Sequence, residues 1–138
     1  GDCIDFSGSR SRIKNITINN AGDKGISVGE ASQVDIDDLI ISNAKLCVVS
    51  KDLSILKINN ISLNKCEIAF SAYQKKSEFG GAKLIAEGVN DQLSKNLYFN
   101  DKDSIIHIEG KIYNSDNYSI CKLPRYENIF FCSNLFNN

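Results

Sequence analysis

Methionine and tryptophan are absent from this chain, and histidine and proline occur once each. The single histidine, His107, lies between Ile106 and Ile108 in an alternating stretch and therefore faces the side opposite them. Neither a Ser-His-Asp triad nor a histidine-based metal site can be built around it. The five cysteines show no CxxC spacing, so no zinc site and no resident metal is expected. No run of 18 apolar residues occurs, which excludes a transmembrane helix. Sixteen basic and 17 acidic residues give a net charge of −1, which leaves no overall footprint for nucleic acid or an anionic membrane. With no initiating methionine and no signal-peptide pattern, the chain reads as a fragment or processed product of a longer protein.

What is present is a repeat. Ile4, Ile26, Val48 and Phe70 recur at a 22-residue spacing, and Phe6, Val28, Ser50 and Ala72 repeat it two residues later. Fixed apolar columns at such a period mean stacked coils, each covering the inner face of the next. Within one period the apolar residues form three alternating pairs: Ile26 with Val28, Val34 with Ile36, Leu39 with Ile41. The following period copies them as Val48 with Ser50, Leu56 with Ile58, Ile61 with Leu63. Alternation at period two marks a strand with one buried face. Three strands per coil, with neither helical nor leucine-rich periodicity, predict an all-β, right-handed parallel β-helix.

The corners between second and third strands carry Asp37-Asp38 and Asn59-Asn60, with Asn15 at the corresponding bend of the first coil. These side chains tolerate left-handed backbone and bond neighbouring main chain, so they suit a tight corner. Residues 1–76 are expected to form the regular coils, and residues 77–138 an irregular final coil and cap within the same domain. The fourth period departs at 74–81, which enlarges the first corner before a strand at 82–86. Residues 106–113 alternate and predict one further strand, and 120–138, with Pro124 and the cluster Ile129-Phe130-Phe131, predict an irregular C-terminal cap. The abrupt start at Asp2-Cys3-Ile4 predicts an upstream domain or partner chain over the first coil.

The three-strand coil, its Asx corner and the opening Gly1-Asp2-Cys3-Ile4-Asp5-Phe6-Ser7-Gly8-Ser9 resemble the pectin-lyase-like parallel β-helix repeat superfamily. The stretches Gly22-Asp23-Lys24-Gly25-Ile26-Ser27-Val28-Gly29-Glu30 and Ser50-Lys51-Asp52-Leu53-Ser54 resemble β-helix regions of bacterial envelope or polysaccharide-associated proteins. The resemblance covers about residues 1–76. It implies a secreted or cell-envelope location and an acidic polysaccharide as partner. The superfamily includes lyases, hydrolases, epimerases, adhesins and inert scaffolds, so it does not imply one reaction.

Cys3 and Cys47 share a column two layers apart, roughly 9–10 Å from the spacing of adjacent strands, which is too far for a disulfide. Cys66, Cys121 and Cys132 have no companion at a recognisable spacing. All five are expected to be buried free thiols.

The first corner carries the candidate site. Glu30, Asp52 and Gln74 form one row at spacing 22, beside a row of Gly29, Lys51 and Tyr73, with Lys75 and Lys76 nearby. Glu30, Lys51, Asp52, Tyr73 and Lys75 are the expected substrate-binding residues: lysines for a uronate carboxylate, Tyr73 for stacking on a sugar ring. Carboxylates in such a row could hold Ca²⁺, although no motif calls for it and no cofactor is expected. Lys51 and Asp52 are the candidate catalytic pair, since a lyase or epimerase needs a cation beside the substrate carboxylate and a base. A hydrolase needs two opposed carboxylates, and the outward row Asp5, Ser27, Val49, Ser71 offers one. The sequence therefore points to a polysaccharide-associated β-helix, with lyase or epimerase chemistry ranked above hydrolysis. A non-catalytic glycan-binding module and a structural or assembly solenoid of the cell envelope are the alternatives.

Overall fold

The computed structural model describes residues 2–113, and the expected C-terminal cap at 120–138 lies outside them. Nine strands occur among the described residues: β1 (Ile4–Ser7), β2 (Arg10–Asn19), β3 (Lys24–Gly29), β4 (Gln33–Lys51), β5 (Ile55–Tyr73), β6 (Lys83–Gln92), β7 (Asn96–Asn100), β8 (Ile105–Ile108) and β9 (Lys111–Tyr113). They form a parallel β-solenoid of about five turns. The long strands β4 and β5 each run round two corners and contribute to three faces. In the first face the register is Ile4 to Ile26, Ile26 to Val48, Val48 to Phe70 and Phe70 to Tyr98. The second face pairs Val34 with Leu56 and Leu56 with Leu84, and the third pairs Leu39 with Ile61 and Ile61 with Val89.

The inward columns close into one apolar core. Val34, Ile36, Ile41, Leu56, Ile58 and Leu63 are all buried. Stacking continues past residue 76, since β6 pairs with β5 along its length and β8 pairs with β6.

Two of the corners are bent by left-handed residues that repeat in a column. Between second and third faces these are Asn15, Asp38 and Asn60, with φ of 59°, 63° and 63°, and then Gly88 at 66°. Glycine replaces the Asx residue in that coil because a Cβ at Gly88 would stand 2.7 Å from the Asn60 Oδ1 atom. Between third and first faces a second column contains Asn20, Asn43, Lys65 and Leu93, at 58–60°. There the Asn43 amide donates to Asn20 Oδ1 at 2.8 Å. Lys65 and Leu93 have no such chemistry. An L-residue other than Asn, Asp or Gly resists this conformation by roughly 1–2 kcal/mol, so the stacked neighbours must impose it.

Three expectations need correction. Residues 106–113 are a hairpin: β8 and β9 are antiparallel, joined through Glu109 and Gly110 at φ of 52° and 77°. Two consecutive left-handed residues make the tight turn that matches strand twist. The second correction concerns the cysteines. Cys47 and Cys66 form a disulfide with Cα atoms 5.7 Å apart, and Cys3 is exposed. Cys66 lies one coil on but three positions earlier, opposite Ala44, so the corner folds it back against Cys47. Comparison within columns alone misses this cross-corner neighbour. Third, the outward row is right in direction but not open: Ser27, Val49 and Ser71 are buried, and Asp5 is exposed. Leu46, Ile68 and Phe99 are also buried outside the main core cluster, so the first face carries apolar burial on both sides.

Two stability outcomes follow. Replacing both Cys47 and Cys66 by alanine is expected to lower unfolding free energy by about 3 kcal/mol, the loop-closure estimate for their separation, as read by urea denaturation of the oxidised and variant proteins. Leu93 is 74% exposed and has little burial to lose. Leu93→Asn should therefore stabilise by about 1 kcal/mol, visible as a raised Tm; an unchanged or lowered Tm would show that its left-handed backbone carries no cost.

Candidate functional site

The first corner is built from left-handed pairs and buried hydroxyls. Glu30 and Ala31 in one coil, and Asp52 and Leu53 in the next, all have φ between 54° and 63°. Immediately after them stands a serine column. Ser9 N donates to Ser32 Oγ at 2.9 Å, Ser32 N to Ser54 Oγ at 3.1 Å, and Ala82 N to Ser104 Oγ at 2.9 Å. These hydroxyls satisfy main-chain donors that the corner removes from the sheet ladder. The sequence signal was available, because Ser32 and Ser54 repeat at 22 and Ser104 follows Ala82 by the same interval.

The enlarged fourth corner is docked on this frame by two carboxylates. Asp52 Oδ1 accepts from Lys75 N at 2.7 Å and from Lys76 N at 2.8 Å. Asp101 Oδ2, from the coil on the other side, accepts from Gln74 N at 2.9 Å. The Gln74 amide then donates to the carbonyls of Lys76, Ser77 and Phe79, which closes the loop on itself. Asp52 is fully buried, and its Oδ2 has no hydrogen-bond partner among the described residues. Its visible task is to hold the loop.

Lys51 occupies the adjacent row. Its stem lies over Gly29, where a Cβ would stand 2.9 Å from the Lys51 Cε atom, so a side chain there would make the stem shift. The residue is 8% exposed and makes no ion pair among the described residues. Burial, and then the nearby charges of Lys75 and Lys24, push its amine below the ordinary lysine range; Asp5 and Asp2 oppose them. Glu30 is held below the usual carboxylate range by hydrogen bonds from Lys76 and Ser7. Lys24 is raised despite its burial, by Asp23 at 3.0 Å and Asp2 at 3.5 Å.

Four of the five expected binding residues thus line one crevice of about 150 Å³: Glu30, Lys51, Asp52 and Lys75, together with Lys76 and Asp5. Tyr73 does not join them. It is 2% exposed, and burial raises its phenol well above the usual tyrosine range, so its ring offers no face to a sugar. Tyr73 pairs with Lys51 in register, yet its phenol lies buried beneath the surface that carries the crevice. No group of His, Cys, Asp and Glu among the described residues is arranged to hold a metal ion. No helix among them is long and apolar enough to cross a membrane.

A second concavity, of about 590 Å³, which no motif in the sequence marks, lies on the outward side of the second face. No family model matches the chain, and neither a curated protein nor a solved structure shows significant similarity to it.

The lowered amine of Lys51 has a consequence for stability. The unfolded chain binds this proton more tightly, so stability rises with pH between the lowered folded pKa and the ordinary lysine value. Lys51→Met keeps the stem over Gly29 and removes the charge. Denaturation curves across that alkaline window should show the rise in the wild type and lose that component in the variant.

Proposed function

We propose that this solenoid is a polysaccharide-associated domain that binds an acidic glycan at its first corner. The observation that supports this most directly is Lys51: a buried amine with no anionic partner within ion-pair distance among the described residues. Taking an ammonium out of water costs several kcal/mol unless a partner compensates. A glycan carboxylate entering the crevice would supply that partner, with Lys75 and Lys76 beside it and their backbone fixed by Asp52. At about 150 Å³ the crevice suits one charged group and the edge of one ring, less than the volume of a full drug-sized pocket. The three-strand coil with its Asx corner agrees with the pectin-lyase-like resemblance, and the Cys47–Cys66 disulfide agrees with a secreted or envelope location.

One observation favours a second reading, in which the domain is part of a lyase or epimerase. An amine held below the ordinary lysine range has a larger neutral fraction and can accept the proton beside a uronate carboxylate. Hydrolysis has no comparable support, because the outward row that would carry its carboxylates is buried beyond Asp5.

Titration of short oligouronates decides the matter. Lys51→Met should weaken binding by about 1–3 kcal/mol through loss of a charge-assisted contact, without loss of stability. Lys51→Glu should weaken it further, but it places a second carboxylate in a buried site and also destabilises the fold. Equal affinities for wild type and Lys51→Met, or no binding to the wild type, would overturn the reading. Unsaturated-product absorbance on the same substrates separates the lyase from the binding module.

A further inference from the structure

We infer that the outward side of the second face is a groove for an extended acidic polysaccharide, separate from the corner crevice. The register places two rows of side chains there. One row runs Arg10, Gln33, Ile55, Lys83, and the other Arg12, Asp35, Lys57, Ile85, each step being one coil. Together they line the concavity of about 590 Å³. Four cations and one carboxylate therefore face a single hollow, in a chain whose total charge is −1. Only Arg12 makes an ion pair among the described residues, with Asp37 at 3.5 Å, and its side chain remains 71% exposed.

The geometry selects the ligand class. Adjacent coils are roughly 4.8 Å apart, so the cations from Arg10 to Lys83 are spread over roughly 14 Å along the solenoid axis. That arrangement fits a linear polymer with charges at intervals and does not fit a compact anion. Between the cations the half-buried Ile55 and Ile85 give an aliphatic floor suited to the C–H faces of sugar rings. No aromatic residue among the described residues lines the groove, so they offer none of the stacking platform on which single-stranded nucleic acid binding depends. The acidic-glycan class is shared with the corner reading and rests on it, but the residues are not shared. The serine column and its left-handed neighbours separate the two sites.

The test uses the intact protein and two ligands, a long polyuronate and a uronate disaccharide. The variants are Arg12→Gln/Lys57→Gln and Lys57→Gln/Lys83→Gln, with circular dichroism to confirm folding, and Lys51→Met for the corner. Each double variant should bind the long polymer at least tenfold more weakly, with a shallower dependence on salt, and should bind the disaccharide like the wild type. Long-polymer affinity unchanged in both folded double variants would overturn the groove. So would a wild type that binds the disaccharide through Lys51 but gains nothing from chain length. A single-stranded homopolymer DNA that binds the wild type more tightly than the polyuronate, and loses affinity in the same variants, would overturn the glycan assignment. If the disaccharide fails to bind while the long polymer binds through the double-variant residues, the corner reading fails and the groove stands.

Discussion

Parallel stacking in register is the constraint from which the rest of this structure follows. A ladder between coils holds only if each coil turns at the same columns, so backbone conformation at the corners is imposed by neighbours above and below. Asn15, Asp38 and Asn60 accept the left-handed bend readily, and Gly88 continues the column where a side chain would strike Asn60. Lys65, Leu93, Ala31 and Leu53 adopt the same conformation against their own preference. The ladder bonds and the core they protect outweigh a local cost of roughly 1–2 kcal/mol at each such position.

The same constraint makes departures from the repeat informative. The first corner absorbs the insertion at 74–81, and buried polar atoms collect there to hold it: Asp52 from one coil, Asp101 from the other, and the serine column behind them. A spacer solenoid gains nothing from this. A loop fixed by backbone-to-carboxylate bonds presents Lys75 and Lys76 at a defined place beside Lys51, which is preorganisation of the kind a binding site needs. The buried Lys51 amine, which has no ion pair among the described residues, is the cost that this arrangement leaves uncompensated, and a bound anion would offset it.

Where the sequence was legible, it was because one residue per column sufficed. The inward ladder, the six core positions at Val34, Ile36, Ile41, Leu56, Ile58 and Leu63, and the Asx corner were all readable from the 22-residue recurrence. What escaped depends on relations between columns. The Cys47–Cys66 bond joins different columns across a corner, and the burial of Val49 and Tyr73 depends on what lies outside the coil. The hairpin at Glu109-Gly110 preserves strand alternation on both sides of its turn, so periodicity does not reveal it. At the candidate site the grouping of Glu30, Lys51, Asp52 and Lys75 was legible from spacing. Their division of labour was not, because Asp52 turns inward to the loop backbone while Lys51 lies along the crevice.

Net charge is a poor guide to partners in such a fold. Screening at physiological ionic strength acts over about 8 Å, less than two coil spacings, so a ligand senses the nearest rows and little of the whole. A chain that sums to −1 can therefore gather Arg10, Arg12, Lys57 and Lys83 around one hollow with a single carboxylate, Asp35, among them. A solenoid is well suited to this, because substitution at one column position per coil builds a charged line without disturbing the inward columns. On the proposed reading, function resides in the outward columns and in the corner insertion, and the core supplies only their spacing.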